Sequence, residues 1–180
     1  MAKLVAVSPF GAEFPIEIGT VTLTEVQFDE IWSVAPFRNK EAEVSEVLKA
    51  ALGIAFPAAN RTTAKAGARA IWAGAGRALV AASSLPDLGA IAAVTRQGDG
   101  IAALVITGEG AEAVLARLVP LDLRIASFKK GHTARTMVNH MMANVTRIGP
   151  DSFEIMVMRS MGQTLLHELR EAAEHVAARG

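Results

Sequence analysis

The 180-residue chain contains no cysteine and no tyrosine. The lack of cysteine excludes disulfides, thiolate nucleophiles, zinc–thiolate centres and iron–sulfur ligation from this chain, and the lack of tyrosine removes a frequent general acid. Its four histidines form two pairs, each spaced by eight residues, whereas a metal-binding pair on a helix is spaced by about one turn. The sequence therefore predicts no metal site, and it predicts solvent-facing or capping roles for His132, His140, His167 and His175.

An excess of charge of either sign is also missing, because 18 basic residues balance 18 acidic ones. A neutral chain lacks the electrostatic footprint of a nucleic-acid binder or of a protein held on an anionic membrane. No apolar stretch reaches the ~18–20 residues of a membrane helix, and the apolar run at the start is too short for a signal peptide. We therefore expect a cytoplasmic protein with no nucleic-acid partner and no membrane partner.

Hydrophobic residues are abundant, at 51%, and the mean hydropathy is +0.32. Such a composition predicts either a large core or apolar surface that a partner covers. Because a neutral protein is poorly protected against association, a homo-oligomer is one expected form of the isolated chain. The length suits one compact domain, or two small lobes that share a core.

The chain divides at about residue 28. Residues 1–27 alternate weakly between apolar and polar side chains among glycines and prolines, which predicts an extended N-terminal tail or an edge strand. Residues 28–180 are assigned to a single domain, which a strand over residues 28–34 opens.

Three helices are predicted from apolar positions at helical spacing. The first covers residues 40–52, with Asn39 as its cap and Gly53 as its end. A short helix follows over residues 110–118, and an amphipathic helix covers residues 162–178.

Apolar segments in pairs, joined by turn residues, predict three antiparallel hairpins. Antiparallel hairpins with packed helices indicate an α+β fold, and the order of the elements suggests two small lobes. The predicted hairpins join residues 69–73 to 78–81, residues 90–95 to 101–106 through Gly98-Asp99-Gly100, and residues 142–148 to 153–158.

No motif predicts catalysis. Gly74 and Gly76 follow a strand, but the third glycine and the helix of a nucleotide-binding loop are absent, so we interpret them as a hairpin turn. No Gly-x-Ser-x-Gly sequence marks a serine nucleophile. The basic stretch over residues 128–136 is either a contact for a partner or an anion, or a solvated loop.

Several short motifs, taken in order, resemble gamma subunits of heterotetrameric sarcosine oxidase over about residues 28–175. The weight lies in the order and spacing of the motifs rather than in any one of them. They are Leu52-Gly53 with Phe56-Pro57, Ile71-Trp72-Ala73-Gly74, Pro120-Leu121-Asp122-Leu123, Phe128 and Gly131 followed by Thr136, and Phe153-Glu154-Ile155-Met156-Val157-Met158-Arg159-Ser160.

This resemblance implies a fold similar to the folate-binding, aminomethyltransferase-like domain. It also implies a non-catalytic subunit of a flavin-dependent oxidoreductase that converts sarcosine to glycine, with formaldehyde or methylene-tetrahydrofolate and hydrogen peroxide as further products. The expected partners are the alpha, beta and delta subunits. FAD, FMN, NAD and tetrahydrofolate are expected on those other subunits, and no cofactor is expected on this chain.

The sequence thus predicts no catalytic, cofactor-binding or metal-binding residue. The candidate contacts to a larger subunit are Phe128, Lys129, Lys130, Arg135 and Arg159. Three alternatives stay open. One is a self-standing folate-binding or one-carbon-transfer domain, and another is a subunit of a related enzyme that oxidises dimethylglycine or N-methylglutamate. The third is a small homo-oligomeric scaffold that is not part of an enzyme.

Overall fold

Two antiparallel sheets packed face to face, with helices on both outer sides, make up the protein. The computed structural model describes residues 7–179. In chain order the elements are β1 (Ile16–Ile18), β2 (Val21–Glu25), β3 (Glu30–Pro36), α1 (Glu41–Leu52), β4 (Thr62–Lys65), β5 (Ala68–Gly74), β6 (Arg77–Ala82), β7 (Ala92–Arg96), β8 (Ile101–Thr107), α2 (Ala111–Leu115), β9 (Thr133–Val138), β10 (Met141–Gly149), β11 (Ser152–Met158) and α3 (Gly162–Ala177).

The five-stranded sheet has the order β4-β5-β6-β3-β7. Its outer face packs on α1, because alternate strand residues such as Val34 and Val80 meet Val44 and Leu48 of the helix in one buried cluster. The helix ends at Gly53, whose φ of 70° is a left-handed conformation that glycine adopts without a steric cost.

The six-stranded sheet has the order β1-β2-β8-β11-β10-β9. Its outer face packs on α2 and α3, and Leu104, Ile155, Leu165 and Leu169 are fully buried in this larger core. Each sheet with its helices corresponds to one of the two lobes that the order of elements suggested.

The inner faces of the two sheets meet in a layer that is partly polar, here called the intersheet layer. Its apolar centre consists of Ile71, Ala103 and Met156. Beside this centre, the side-chain amide of Asn144 donates a hydrogen bond to the Trp72 carbonyl at 2.8 Å. Because one face of each strand packs on a helix and the other on this layer, the central strands carry few exposed residues.

The N-terminal segment belongs to the fold more closely than the sequence indicated. Strand β1 lies at the edge of the six-stranded sheet, but β2 pairs with both β1 and β8. Leu23 of β2 is fully buried, and so is nearly all of Phe10. The expectation of a tail or edge strand over residues 1–27 is therefore wrong for β2. Residues 1–6 of that range lie outside the described residues.

The predicted hairpin between residues 90–95 and 101–106 is wrong. Strand β7 pairs with β3 in the five-stranded sheet, whereas β8 pairs with β2 and β11 in the other sheet. The turn that contains Asp99 therefore carries the chain from one sheet to the next. The physical reason is burial. Ala102, Leu104 and Ile106 of β8 are almost completely buried in the larger core, whereas most of β7 is exposed. A hairpin of β8 with β7 would not bury these apolar side chains as completely.

The other elements agree better with the sequence. The hairpins β5–β6 and β10–β11 and the three helices are confirmed, although α2 is shorter than predicted. Asn39 does not cap α1, since Lys40 occupies the cap position without a side-chain hydrogen bond and Asn39 itself has a φ of 63°. Strands β4 and β9 were not predicted, and β9 includes the second half of the basic stretch that the sequence left as a contact or a solvated loop. Within residues 7–179, no helix is long and apolar enough to cross a membrane.

Candidate functional site

The basic stretch that the sequence singled out does not form one continuous surface. Phe128 is only 8% exposed and belongs to the core beneath α2 and α3, with its ring edge-on to His132 at a centroid distance of 5.9 Å. The prediction of Phe128 as a partner contact is therefore wrong, because burial in the core removes more of its apolar ring from water than a position on the surface would. Lys129 and Lys130 follow it and are exposed.

Arg135 and Arg159 lie elsewhere. Arg135 projects from β9 into the rim of the intersheet layer, where its Nη1 donates to the Ala73 carbonyl at 3.0 Å. Arg159 follows β11 and donates from Nη2 to the Val7 carbonyl at 2.6 Å. The candidate contacts thus fall on three separate places, and their role toward a partner stays a prediction.

Burial and charge also act on His132, which lies in the same stretch. Partial burial is the largest cause of the lowered pKa of the ring, and the cations of Arg61 and Lys129 lower the pKa further. A backbone hydrogen bond raises it, but by less. Since the ordinary pKa is already 6.5, His132 is neutral at pH 7. It therefore adds no positive charge to the exposed Lys129 and Lys130.

The most unusual charged group is Glu154, which the sequence reasoning passed over. It lies on the inner face of β11 and is only 2% exposed. One carboxylate oxygen, Oε2, accepts a hydrogen bond from the Arg69 guanidinium of β5 across the intersheet layer. The other, Oε1, is buried and has no hydrogen-bond partner among the described residues. Burial raises the pKa of Glu154, and the charge and hydrogen bond of Arg69 only partly oppose that rise.

Glu154 lines a cavity of about 370 Å³ between the two sheets. Arg69 is held over the ring of Phe28, with 5.2 Å between the guanidinium carbon and the ring centroid. Two further carboxylates, Asp29 and Glu30, line the cavity. A hydrogen bond from Arg96 is the largest cause of the lowered pKa of Glu30, which stays ionised at neutral pH.

The polar side chains that line the cavity are three carboxylates, the Arg69 guanidinium and the Gln27 amide, all of which can form hydrogen bonds with a ligand. The free Oε1 of Glu154 can accept a hydrogen bond from an N–H group of a small ligand, or it can hold a proton. Within residues 7–179, no cluster of three or more histidine or acidic side chains has the geometry of a metal site.

A second buried charge has a structural role. Arg147 of β10 is 1% exposed, and its guanidinium lies 4.3 Å from the centroid of Phe153. It donates to Glu112 of α2 at 2.9 Å and to the carbonyls of Leu123 and Pro150. These bonds tie α2 and the loop after it to the outer face of the six-stranded sheet, away from the intersheet layer.

Comparison with known proteins places the fold. No protein-family model matches the sequence, and the search of curated proteins gave no match. Among solved structures, the chain is similar to heterotetrameric sarcosine oxidase from Corynebacterium sp. U-96, with 23% identity and a TM-score of 0.76 over 91% of this chain and 88% of that chain. It is also similar to glycine cleavage system aminomethyltransferase T from Bartonella henselae, with 16% identity, a TM-score of 0.59 and 89% of this chain covered.

These two neighbours confirm the predicted fold class, α+β and similar to the aminomethyltransferase-like domain. The chain matches only 49% of the aminomethyltransferase, so it spans about half the length of that protein. The match to the sarcosine oxidase chain is nearly complete in both directions.

Proposed function

We propose that this chain is a small, non-catalytic gamma-type subunit of a heterotetrameric, flavin-dependent sarcosine oxidase. The observation that carries the proposal is the reciprocal match to a chain of such an enzyme, which leaves little of either chain unmatched. The match to the aminomethyltransferase is weaker in both respects, with a TM-score of 0.59 and 49% of that chain covered. The high hydrophobic fraction and zero net charge also favour a chain that works in an assembly.

In this proposal the chemistry belongs to other subunits. The assembly oxidises sarcosine to glycine, releases the methyl carbon as formaldehyde or as methylene-tetrahydrofolate, and produces hydrogen peroxide. FAD, FMN, NAD and tetrahydrofolate are assigned to the larger alpha and beta subunits. A parent enzyme for dimethylglycine or N-methylglutamate fits the same role, because the selectivity for the amino acid would lie in another subunit.

The exposed Lys129 and Lys130 are proposed as contacts to a larger subunit, together with Arg135 and Arg159. Both lysines lie in a tight turn before β9, where the Lys129 carbonyl accepts a hydrogen bond from the His132 amide at 2.9 Å. This turn holds them on a fixed backbone, so little order is lost when a partner binds.

Co-expression with the flavoprotein subunits of a heterotetrameric sarcosine oxidase tests the proposal. The sample is separated by size-exclusion chromatography while the flavin spectrum is recorded, and the flavoprotein subunits expressed without this chain serve as the control. We expect this chain to elute with a yellow, high-mass complex whose mass falls when the chain is omitted. Elution of the chain alone, colourless and at its own mass of 18.9 kDa, would overturn the proposal.

Folate binding by the chain itself is the second candidate function, and the free Oε1 of Glu154 favours it. The pteridine ring of tetrahydrofolate has an edge of N–H donors, and a buried carboxylate oxygen without a partner is a suitable acceptor for such an edge. Calorimetric titration with tetrahydrofolate decides between the candidates. Binding to the wild-type chain that Glu154→Gln weakens supports this function, whereas no heat with either protein removes it.

A further inference from the structure

A second opening of the intersheet layer lies opposite the Glu154 cavity and contains Arg135, one of the proposed contacts to a larger subunit. It is a groove of about 330 Å³ between the starts of β6, β8 and β10 and the end of β11. The floor includes Leu79, Ile101 and Met156. Met142 and Met158 flank it and are 50% and 68% exposed, among the most exposed large hydrophobic side chains of residues 7–179.

Two arginines converge at this groove. Arg77 Nη2 and Arg135 Nη1 both donate to the Ala73 carbonyl oxygen, at 3.5 Å and 3.0 Å. Two guanidinium groups are thus held beside one oxygen atom although like charges repel each other. Neither forms an ion pair within the described part of the chain, and no aspartate or glutamate lines the groove.

Within residues 7–179 the remaining N–H groups of the two guanidiniums have no hydrogen-bond partner, so they can bind an anion. Arginine presents five N–H donors in a planar fork that matches both oxygens of a carboxylate. A carboxylate at this place would neutralise the repulsion between Arg77 and Arg135. Exposed methionines beside it would cover apolar side chains of varied shape, because methionine is flexible and polarizable.

We propose that this groove, here called the arginine–methionine groove, docks a segment of a partner polypeptide in which a glutamate or aspartate lies next to a large apolar residue. The carboxylate binds Arg77 and Arg135, and the apolar side chain packs on Met142 and Met158. A protein segment fits better than a small carboxylate, because Met142 and Met158, which line the groove beside the arginines, leave 50% and 68% of their surface exposed for an apolar side chain to cover.

The docking partner rests on the proposed function, since a larger subunit of the oxidase would supply the segment. The first measurement is therefore made on the complex. Arg77→Glu with Arg135→Glu is compared with Arg117→Glu, which reverses an exposed arginine after α2, on the far side of the six-stranded sheet. Thermal unfolding of each variant checks that it folds.

We expect the double variant to lower the affinity for the larger subunits by at least about 30-fold, the usual cost of breaking a desolvated charge contact. Arg117→Glu should change it by less than about twofold, as surface substitutions away from an interface do. A folded double variant that binds like the wild type would overturn the proposal.

A second measurement on the isolated chain separates this proposal from the proposed function. Methyl NMR of the methionines is recorded during titration with a capped peptide of alternating leucine and glutamate, and with its glutamine analogue. The expected result is a shift of the Met142 and Met158 signals by the glutamate peptide alone, lost in the arginine double variant. If the wild-type chain forms no oxidase complex, the proposed function fails and this titration alone decides on the groove.

Hexanoate serves as the small-molecule probe in the same titration. Weaker binding of hexanoate than of the peptide supports a polypeptide partner. Binding of hexanoate as tight as that of the peptide would make the groove a site for small carboxylates and would overturn the docking proposal. No shift with either probe, together with an unaffected complex, would overturn it as well.

Discussion

Replacing Glu154 with glutamine tests the most unusual electrostatic feature of the protein. The substitution keeps the size of the side chain and an oxygen that can accept from Arg69, but it removes the ability to lose a proton. Glu154 is only 2% exposed, and burial raises its pKa above the ordinary value of 4.5. The native state therefore holds the proton of this carboxyl group more tightly than the unfolded state does.

The sign of the pH effect follows from that difference. A raised native pKa contributes stability that is fully present below the unfolded pKa of about 4.5 and is lost as the pH rises through the native pKa. Across that window the free energy of unfolding of the wild type, relative to Glu154→Gln, should fall by up to about 1.4 kcal/mol per pH unit. Below pH 4.5 the two proteins should differ by no more than about 1 kcal/mol, since glutamine resembles a protonated carboxyl group.

Urea unfolding followed by the fluorescence of Trp32 and Trp72 measures this difference at a series of pH values from 4 to 8. Other titrating groups are shared by both proteins, so they cancel in the comparison. Arg69→Met on the wild-type background should extend the fall to higher pH, because it removes the cation that opposes the rise in pKa. Arg69→Met on the Glu154→Gln background should lack that fall. A difference that stays constant, or that favours the wild type as the pH rises, would refute the reasoning.

Three further predictions concern packing and the proposed interface. Gly108→Ala should lower the free energy of unfolding by about 3 kcal/mol, because the residue has a φ of 119° and its Cβ would lie 2.0 Å from the Thr20 carbonyl oxygen; a loss below about 1 kcal/mol in urea unfolding would show that the contact relaxes. Phe128→Ala should cost about 3–5 kcal/mol and Lys129→Ala less than about 0.5 kcal/mol, and equal losses would contradict the burial of the phenylalanine. Lys129→Glu with Lys130→Glu should leave the fold intact but weaken co-elution with the flavoprotein subunits; unchanged co-elution would exclude the two lysines from the interface.

Local signals account for the parts of the fold that the sequence predicted correctly. The turns after Trp72 and before Phe153 carry glycine or proline with polar neighbours, and both join strands that are adjacent in the same sheet. The same kind of signal at Asp99 led to a wrong hairpin, because the partners of β7 and β8 are decided by distant strands. The sheet that a strand joins depends on which side chains become buried in the folded protein, and a short window of sequence does not show this.

The pairing of Glu154 with Arg69 was likewise not predictable from a short window of sequence. Glu154 stands in the apolar segment of β11, between Phe153 and Ile155, and a charge within such a strand was the available signal. What the sequence does not contain is the partner, since Arg69 lies 85 positions away in the chain. The prediction of Phe128 as a surface contact failed for a related reason: its neighbours Lys129 and Lys130 are exposed, but the direction of the ring is set by the core of α2 and α3.

Although the chain as a whole is neutral, its two intersheet openings have opposite electrostatic character. One contains Arg77 and Arg135 without a lining carboxylate, and the other contains Glu154 with two further lining carboxylates and a single arginine, Arg69. Along β5, Arg69 and Ala73 mark the two openings and are four residues apart, about 13 Å.

Groups at that distance with no shared partner act independently, within about 0.5 kcal/mol. Combining Glu154→Gln with the charge reversals at Arg77 and Arg135 should therefore change the free energy of unfolding by the sum of the separate changes. The pH dependence caused by Glu154 should also be the same with and without the charge reversals, as measured by urea unfolding. A coupling larger than about 1 kcal/mol would mean that the two openings communicate through the intersheet layer, so that a partner docked at the arginines would alter the protonation of Glu154.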